Sequence, residues 1–255
     1  MATTHTYFAG PTPLVFAHRG FCGTGARENT LAAFEAALTA GATHLESDVQ
    51  ATADGVAVLF HDLSLEREFG MKAKICELSL SELRSIATGD ARIPTLAEAL
   101  AAFPAARFNL DLKTADAIAP LVAALAEDSR PTRVLVSSFS RSRRLEALKQ
   151  LRLKNLGVAT SADGTTLLIL RLLFALRLRS SFNRLAKSLD ALQIPVSATG
   201  LRFDSNRWVA WARSAELQLN YWTINDATEM KRLVKLGATG IVTDRTDIAA
   251  HVQWE

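Results

Sequence analysis

Leu14-Val15-Phe16-Ala17-His18-Arg19-Gly20, followed by the helical stretch Thr30 to Ala40 with Gly41 as its stop, sets a pattern that the rest of the chain repeats. A short apolar segment reads as a strand, its polar end as a loop, and the amphipathic run after it as a helix. The unit recurs at once. His44 to Val49 is a second strand, the Asp54-Gly55 pair marks a tight turn, and Val56 to Phe60 reads as a hairpin arm. A polar stretch from Asp62 to Arg92 carries one helical piece around Ser79 to Ala87, and Pro94 opens a helix running to about Ala102.

Further strands are predicted at Phe108 to Leu112, Arg133 to Ser137, Leu156 to Ala159, Leu192 to Val196, Leu219 to Thr223 and Gly240 to Thr243, with helical stretches between them. With the Val56–Phe60 arm counted as an excursion, the chain holds eight strands in a βα rhythm. Eight units in about 250 residues predict an α/β fold, a single closed (β/α)8 barrel over residues 1–255 with a short hairpin insertion after the second strand. A doubly wound open sheet is the competing topology, but no strand is followed by the Gly-x-Gly-x-x-Gly fingerprint.

Bulk properties narrow the class. Half of the 255 residues are hydrophobic, enough for a sizeable core, and the net charge of +3 is spread along the chain. No basic patch interleaved with aromatics points to nucleic acid. Cys22 and Cys76 lack metal-ligand spacing and are expected to be free thiols. Met1 to Thr12 has no basic start followed by an apolar run, and the most apolar run, residues 167–178, is too short and too charged to span a bilayer. A cytoplasmic protein is expected.

In such a barrel the reactive groups gather at the C-terminal ends of the strands. Those ends carry His18-Arg19-Gly20, Glu46 and Asp48, His61-Asp62 after the hairpin arm, Asp111 and Lys113, Ser137-Ser138-Phe139, Trp222-Thr223-Ile224-Asn225, and Thr243-Asp244. Glu46 and Asp48 are two apart in a strand and share a face, as do Asp111 and Lys113. Three carboxylates in one place repel one another, and a divalent cation relieves that; oxygen-only ligands select Mg²⁺ or Ca²⁺. Two imidazoles titrating near neutrality suit acid–base work, and Arg19 and Lys113 suit an anionic substrate. A plain ion-pair network of Glu46 and Asp48 with Arg19 and Lys113 is the bland reading of the same residues. The convergence of so many polar groups on strand ends argues for phosphoryl chemistry.

Several of these runs resemble one family. Ala17-His18-Arg19-Gly20 with Glu28-Asn29-Thr30-Leu31-Ala32-Ala33-Phe34, and Glu46-Ser47-Asp48-Val49 with Asp54-Gly55-Val56 and Phe60-His61-Asp62, are similar to the two opening blocks of glycerophosphodiester phosphodiesterases. Ile93-Pro94-Thr95-Leu96, Trp222-Thr223-Ile224-Asn225 and Gly240-Ile241-Val242-Thr243-Asp244 resemble later landmarks. The resemblance implies a (β/α)8 barrel that hydrolyses glycerophosphodiesters to glycerol 3-phosphate and an alcohol. It implies one divalent cation on Glu46, Asp48 and Asp111, His18 and His61 as the acid–base pair, phosphate contacts from Arg19 and Lys113, and Trp222 along the substrate groove. The chain departs from the family pattern in having Asp111 where Glu is usual, Arg27 where proline is usual, and only a short insertion between Leu63 and Arg92. Asp at that position also resembles phospholipase D toxins.

The Leu-rich run 167–178 is interrupted only by Arg171 and Arg177. It reads as a buried helix with snorkelling arginines, or as an exposed face that contacts a membrane surface or a second copy. The membrane alternative makes lysophospholipids plausible substrates, in a lysophospholipase D or sphingomyelinase D-like reaction at the inner membrane surface. A third alternative is a barrel that only binds a phosphorylated ligand; the presence of both His18 and His61 weighs against it.

Overall fold

The rhythm read from the sequence is realised as a ring of parallel strands in the computed structural model, which describes residues 5–254. The strands are β1 (Leu14–Ala17), β2 (His44–Ala51), β3 (Ala57–Leu59), β4 (Arg107–Leu112), β5 (Val134–Ser137), β6 (Ala159–Thr160), β7 (Ala191–Pro195), β8 (Ser197–Ala198), β9 (Leu201–Arg202), β10 (Gln218–Trp222) and β11 (Gly240–Thr243). The ring runs β6-β5-β4-β2-β1-β11-β10-β7, and a parallel bridge between Ser161 and Ala191 joins its two ends. The hairpin arm is β3, which pairs antiparallel with the far end of β2, Val49 opposite Leu59. The (β/α)8 expectation therefore holds, with the excursion where it was predicted.

Burial explains why the strands read as apolar runs. Every residue of β1 and β11 is buried, since one side faces the barrel interior and the other faces the helices. The helices are placed by their caps. Thr30 accepts from Ala33 N at the start of Leu31–Thr39, and Thr95 and Glu98 form a capping box on Leu96–Ala102. Pro94 thus precedes that cap and does not open the helix.

The barrel floor is closed by a feature absent from the sequence reading. Tyr7 and Phe8, in a 3-10 turn at Thr6–Phe8, are buried beneath Leu14, Phe16 and Val242. The His44 ring stacks at 4.5 Å on Phe16 and bonds the Tyr7 carbonyl at 3.0 Å through Nε2. Burial drives its pKa down to about 3, so this histidine is a neutral packing group.

Other elements differ from expectation in their limits. The fifth barrel strand, expected from Leu156, is reduced to Ala159–Thr160. Helix Arg141–Leu153 runs past Leu151, and the chain then turns through Asn155 at φ 56°. The Leu-rich run lies in helix Gly164–Ala175 up to Ala175 and then turns through Arg177 at φ 59°, before a second helix, Arg179–Ala186, begins just beyond it. The small β8–β9 hairpin was not foreseen. Among the described residues no helix is long and apolar enough to cross a membrane.

Candidate active site

At the C-terminal ends of the strands lies a cleft of about 560 Å³. It brings together all eight residues singled out from the sequence: His18, Arg19, Glu46, Asp48, His61, Asp111, Lys113 and Trp222. The two-residue period accounts for most of this. Glu46 and Asp48 point inward from β2, and the β2–β4 register places Glu46 opposite Asn109 and Asp48 opposite Asp111. All three carboxylates are nearly sealed from water, at 7, 2 and 7 % exposure.

The backbone around His18 is shaped by steric fit. Gly20 adopts φ +87°, and a Cβ there would lie 2.7 Å from that of Ala33. The turn it permits carries Arg19 N to within 3.0 Å of Glu46 Oε2. Asn29, at φ 58°, accepts from Ser47 Oγ at 2.6 Å and donates to Asp48 Oδ2 at 3.2 Å. The loop after β1 is thereby locked onto the polar face of β2.

Each imidazole is held by a carboxylate. His18 Nδ1 lies 2.6 Å from Asp244 Oδ1, and His61 Nδ1 lies 2.6 Å from Asp62 Oδ1. An ionised carboxylate only accepts, so Nδ1 carries the hydrogen in both rings and Nε2 is left for chemistry. Asn225 donates to the second oxygen of Asp244 at 2.8 Å and fixes it in turn. Burial disfavours the charged form of His18, but the Asp244 hydrogen bond and the nearby Glu46 outweigh it, and the pKa lies above the ordinary value.

The cations are committed to carboxylates. Lys113 Nζ sits 2.8 Å from Asp48 Oδ1 and 2.9 Å from Asp111 Oδ2, and these two neighbours keep it charged despite its burial. Arg19 Nη1 lies 3.1 Å from Glu28 Oε1 and its Nε lies 3.4 Å from Asp48 Oδ2. The chain of ion pairs continues from Glu28 to Arg67 at 2.5 Å, and from Arg67 to Asp62 at 2.5 Å. It thus runs from His61 round the cleft to Asp48. Of the ion-pair network weighed in the sequence, Asp48 meets both Arg19 and Lys113, whereas Glu46 meets only the backbone N of Arg19; all four residues line the same cleft.

The donor set suits a hard cation in kind. Burial, with Asp48 adding to it, raises the Glu46 pKa to about 7, and burial raises that of Asp111 against the pull of Lys113. Lys113 pairs with Asp48 and Asp111 and Arg19 with Asp48, while Glu46 has no ion-pair partner among the described residues; a divalent ion with oxygen ligands would satisfy what the three buried carboxylates lack. Among the described residues, however, no three His, Cys, Asp or Glu side chains stand close enough together to form a finished cage.

The wall opposite the histidines is apolar. Phe139 packs edge-on to Trp222 with ring centroids 5.9 Å apart, and Leu167, Leu168 and Phe203 extend this surface. Cys22 and Cys76 are free and exposed, as expected.

The sequence matches the Glycerophosphoryl diester phosphodiesterase family over residues 18–248. The chain belongs to this family. It is 34% identical over 240 residues to the Probable glycerophosphodiester phosphodiesterase 2 of Mycobacterium tuberculosis, covering 94% of this chain and 90% of that one. A glycerophosphodiester phosphodiesterase from Thermotoga maritima superposes with a TM-score of 0.73 at 25% identity, over 96% of this chain and 100% of that one. An Oleispira antarctica phosphodiesterase, solved with the product sn-glycerol-3-phosphate, has the same fold, with a TM-score of 0.72 at 24% identity over 94% and 96% of the two chains. The resemblance noted in the sequence and the enzyme class it implies are thus met at the level of the family, on the predicted barrel.

Residues not assigned a role from the sequence also matter here. Asp62, Asp244 and Asn225 were noted at strand ends; the contacts that make Asp244 and Asn225 orienting groups join distant parts of the chain, while Asp62 holds its own neighbour His61. Asn29 lay within a recognised run, yet only its left-handed backbone shows why it reaches Asp48. Arg67 carried no signal at all.

Proposed function

We propose that the protein is a cation-dependent hydrolase of glycerophosphodiesters, releasing glycerol 3-phosphate and an alcohol, with the whole chain as one catalytic domain working in the cytoplasm. The observation that carries this is the pair of imidazoles, each held through Nδ1 by its own carboxylate, lining one cleft with three buried carboxylates. Nε2 of one ring takes the proton of the attacking hydroxyl, either water or a glycerol hydroxyl beside the phosphate, and Nε2–H of the other protonates the leaving oxygen. His18, whose charged form the site favours, suits the acid role, and His61 the base role.

Glu46, Asp48 and Asp111 would hold Mg²⁺ or Ca²⁺, which when bound stabilises charge on the phosphoryl oxygens. Arg19 and Lys113 supply positive charge to the same oxygens from within the ion-pair network. Trp222 and Phe139 form the wall against which the alcohol packs.

The test is turnover of a glycerophosphodiester panel with and without each cation. Loss of about 10²–10⁴-fold is expected for His18→Ala and for His61→Ala. Turnover that ignores both cation and His18→Ala would sink this reading. The apolar wall of Phe139, Leu167 and Leu168 favours a second reading on the same machinery, in which a lysophospholipid is the diester cleaved. Preference for micellar lyso-lipid over soluble glycerophosphocholine would separate the two.

A further inference from the structure

Helix Gly164–Ala175 starts in the wall of the cleft, where Asp163, Gly164, Leu167 and Leu168 all line the cavity. Its start is firmly anchored. Asp163 accepts from Thr166 N at 2.7 Å and from Arg144 Nε at 2.9 Å, and both charged side chains are buried. One face of the helix is also packed. Leu170 and Phe174 are buried, with Phe174 edge-on to Trp208 and Trp211 at 5.3 and 5.1 Å.

The other face is apolar and covered by nothing among the described residues. Leu168, Leu172 and Leu176, spaced four apart and therefore on one side of the helix, are 56, 57 and 58 % exposed, with Ile169 and Leu178 exposed beside them. A helix that only seals a barrel needs one apolar stripe. This one carries two, so the buried-helix reading accounts for Leu167, Leu170 and Leu173 but not for Leu168, Leu172 and Leu176. At the cleft, Phe139 stands largely exposed as well, continuing the apolar rim.

Charge identifies what would cover this face. Residues 164–189 contain Arg171, Arg177, Arg179, Arg184 and Lys187 and no Asp or Glu. Arg171 and Arg179 lie over the rings of Phe174 and Trp211, while Arg177 and Arg184 are exposed. A second copy meeting this face through a twofold axis would set the same basic surface against itself. An anionic lipid surface instead receives the leucines at its acyl boundary and neutralises the arginines at its headgroups.

We infer that the Leu168–Leu172–Leu176 face, with the arginines around it, docks the protein on an anionic lipid bilayer with the rim of the catalytic cleft against the membrane. The docking stands independently of the reaction; only its use, to present the cleft to amphiphilic diesters, rests on the proposed hydrolysis.

The experiment is co-sedimentation of the full chain with phosphatidylcholine vesicles, with and without phosphatidylserine, at low and high salt. Turnover of soluble glycerophosphocholine is measured in parallel. Binding to the phosphatidylserine vesicles that weakens with salt is expected, and Leu172→Ser/Leu176→Ser and Arg177→Glu/Arg184→Glu should each weaken it at least about tenfold while soluble turnover is retained. Absence of wild-type binding overturns the inference, as does binding that survives both variants. A wild-type dimer that becomes a monomer in Leu172→Ser/Leu176→Ser also overturns it in favour of a contact between copies. If the leucine variant loses its circular-dichroism signal, the arginine variant decides alone. Vesicle binding without any diester turnover would sink the hydrolase reading and leave the docking standing.

Discussion

Asp48 and Asp111 are register partners on neighbouring parallel strands, and a single ammonium, Lys113 Nζ, lies within 2.9 Å of both. Removing it leaves two buried carboxylates facing each other. Lys113→Met should therefore destabilise the cation-free protein by about 3–5 kcal/mol, the cost typical of an abandoned buried charge. Urea unfolding in a chelator measures this, and Mg²⁺ or Ca²⁺ should restore part of the loss. An unchanged midpoint would show that the two aspartates are not held by Lys113.

Glu46 gives the site a pH signature. Burial beside Asp48 raises its pKa from the ordinary carboxylate range to about 7 in the cation-free protein. Between those values the native state holds a proton that the unfolded state has released, so this group's contribution to stability falls as pH rises through that window. A cation needs the carboxylate form, so its binding should release a proton at about pH 6 and almost none at about pH 8. Calorimetric titration in buffers of different ionisation heat reads this directly. Heats that do not vary with buffer at the lower pH would contradict it.

Asp244 raises the His18 pKa and holds the ring by Nδ1. Asp244→Asn should lower that pKa, visible in the imidazole NMR titration, and cut turnover by about 10²-fold or more because the ring loses its enforced tautomer. The sign is set by the acid role. A His18 that deprotonates earlier moves the alkaline limb of the rate profile to lower pH. A limb that stays in place would assign the acid to another group.

Gly20 tests the loop that connects His18 to Glu46. A methyl group at this position meets both the side chain and the backbone of Ala33, at a positive φ that L-residues resist. Gly20→Ala should cost about 1–3 kcal/mol of stability and weaken cation binding, since Arg19 N would move away from Glu46. Equilibrium unfolding and a cation titration together check both halves.

Legibility in the sequence followed the range of the interaction. The inward positions of Glu46, Asp48, Asp111 and Lys113 come from a two-residue period within single strands, and β1 and β11 announce themselves as short apolar runs. Pairings across the chain left no local trace. His18 and Asp244 are 226 positions apart, and nothing in either run says which carboxylate meets which ring. The Leu-rich run shows the same limit. Its apolar content was plain, but which face is buried is set where Phe174 packs on Trp208 and Trp211, contributed by a later helix, Asn206–Ser214. The shortening of β6 depended on a left-handed turn at Asn155, a residue with no distinguishing neighbours.

The ring of strands is not equally tied around its circumference. Between β6 and β7 it is joined by Ala162 N to Ala191 O and Asp190 N to Thr160 O, with the Asp190 carboxylate on Thr160 N, whereas β2 and β4 are in register over six residue pairs. Backbone amides with few ladder partners open at lower free energy than those deep in a continuous sheet. Amide hydrogen exchange should thus be fastest, among the barrel strands, along Thr160 to Ala162 and at Asp190. The barrel has a seam, and the helix carrying the exposed leucines springs from its edge.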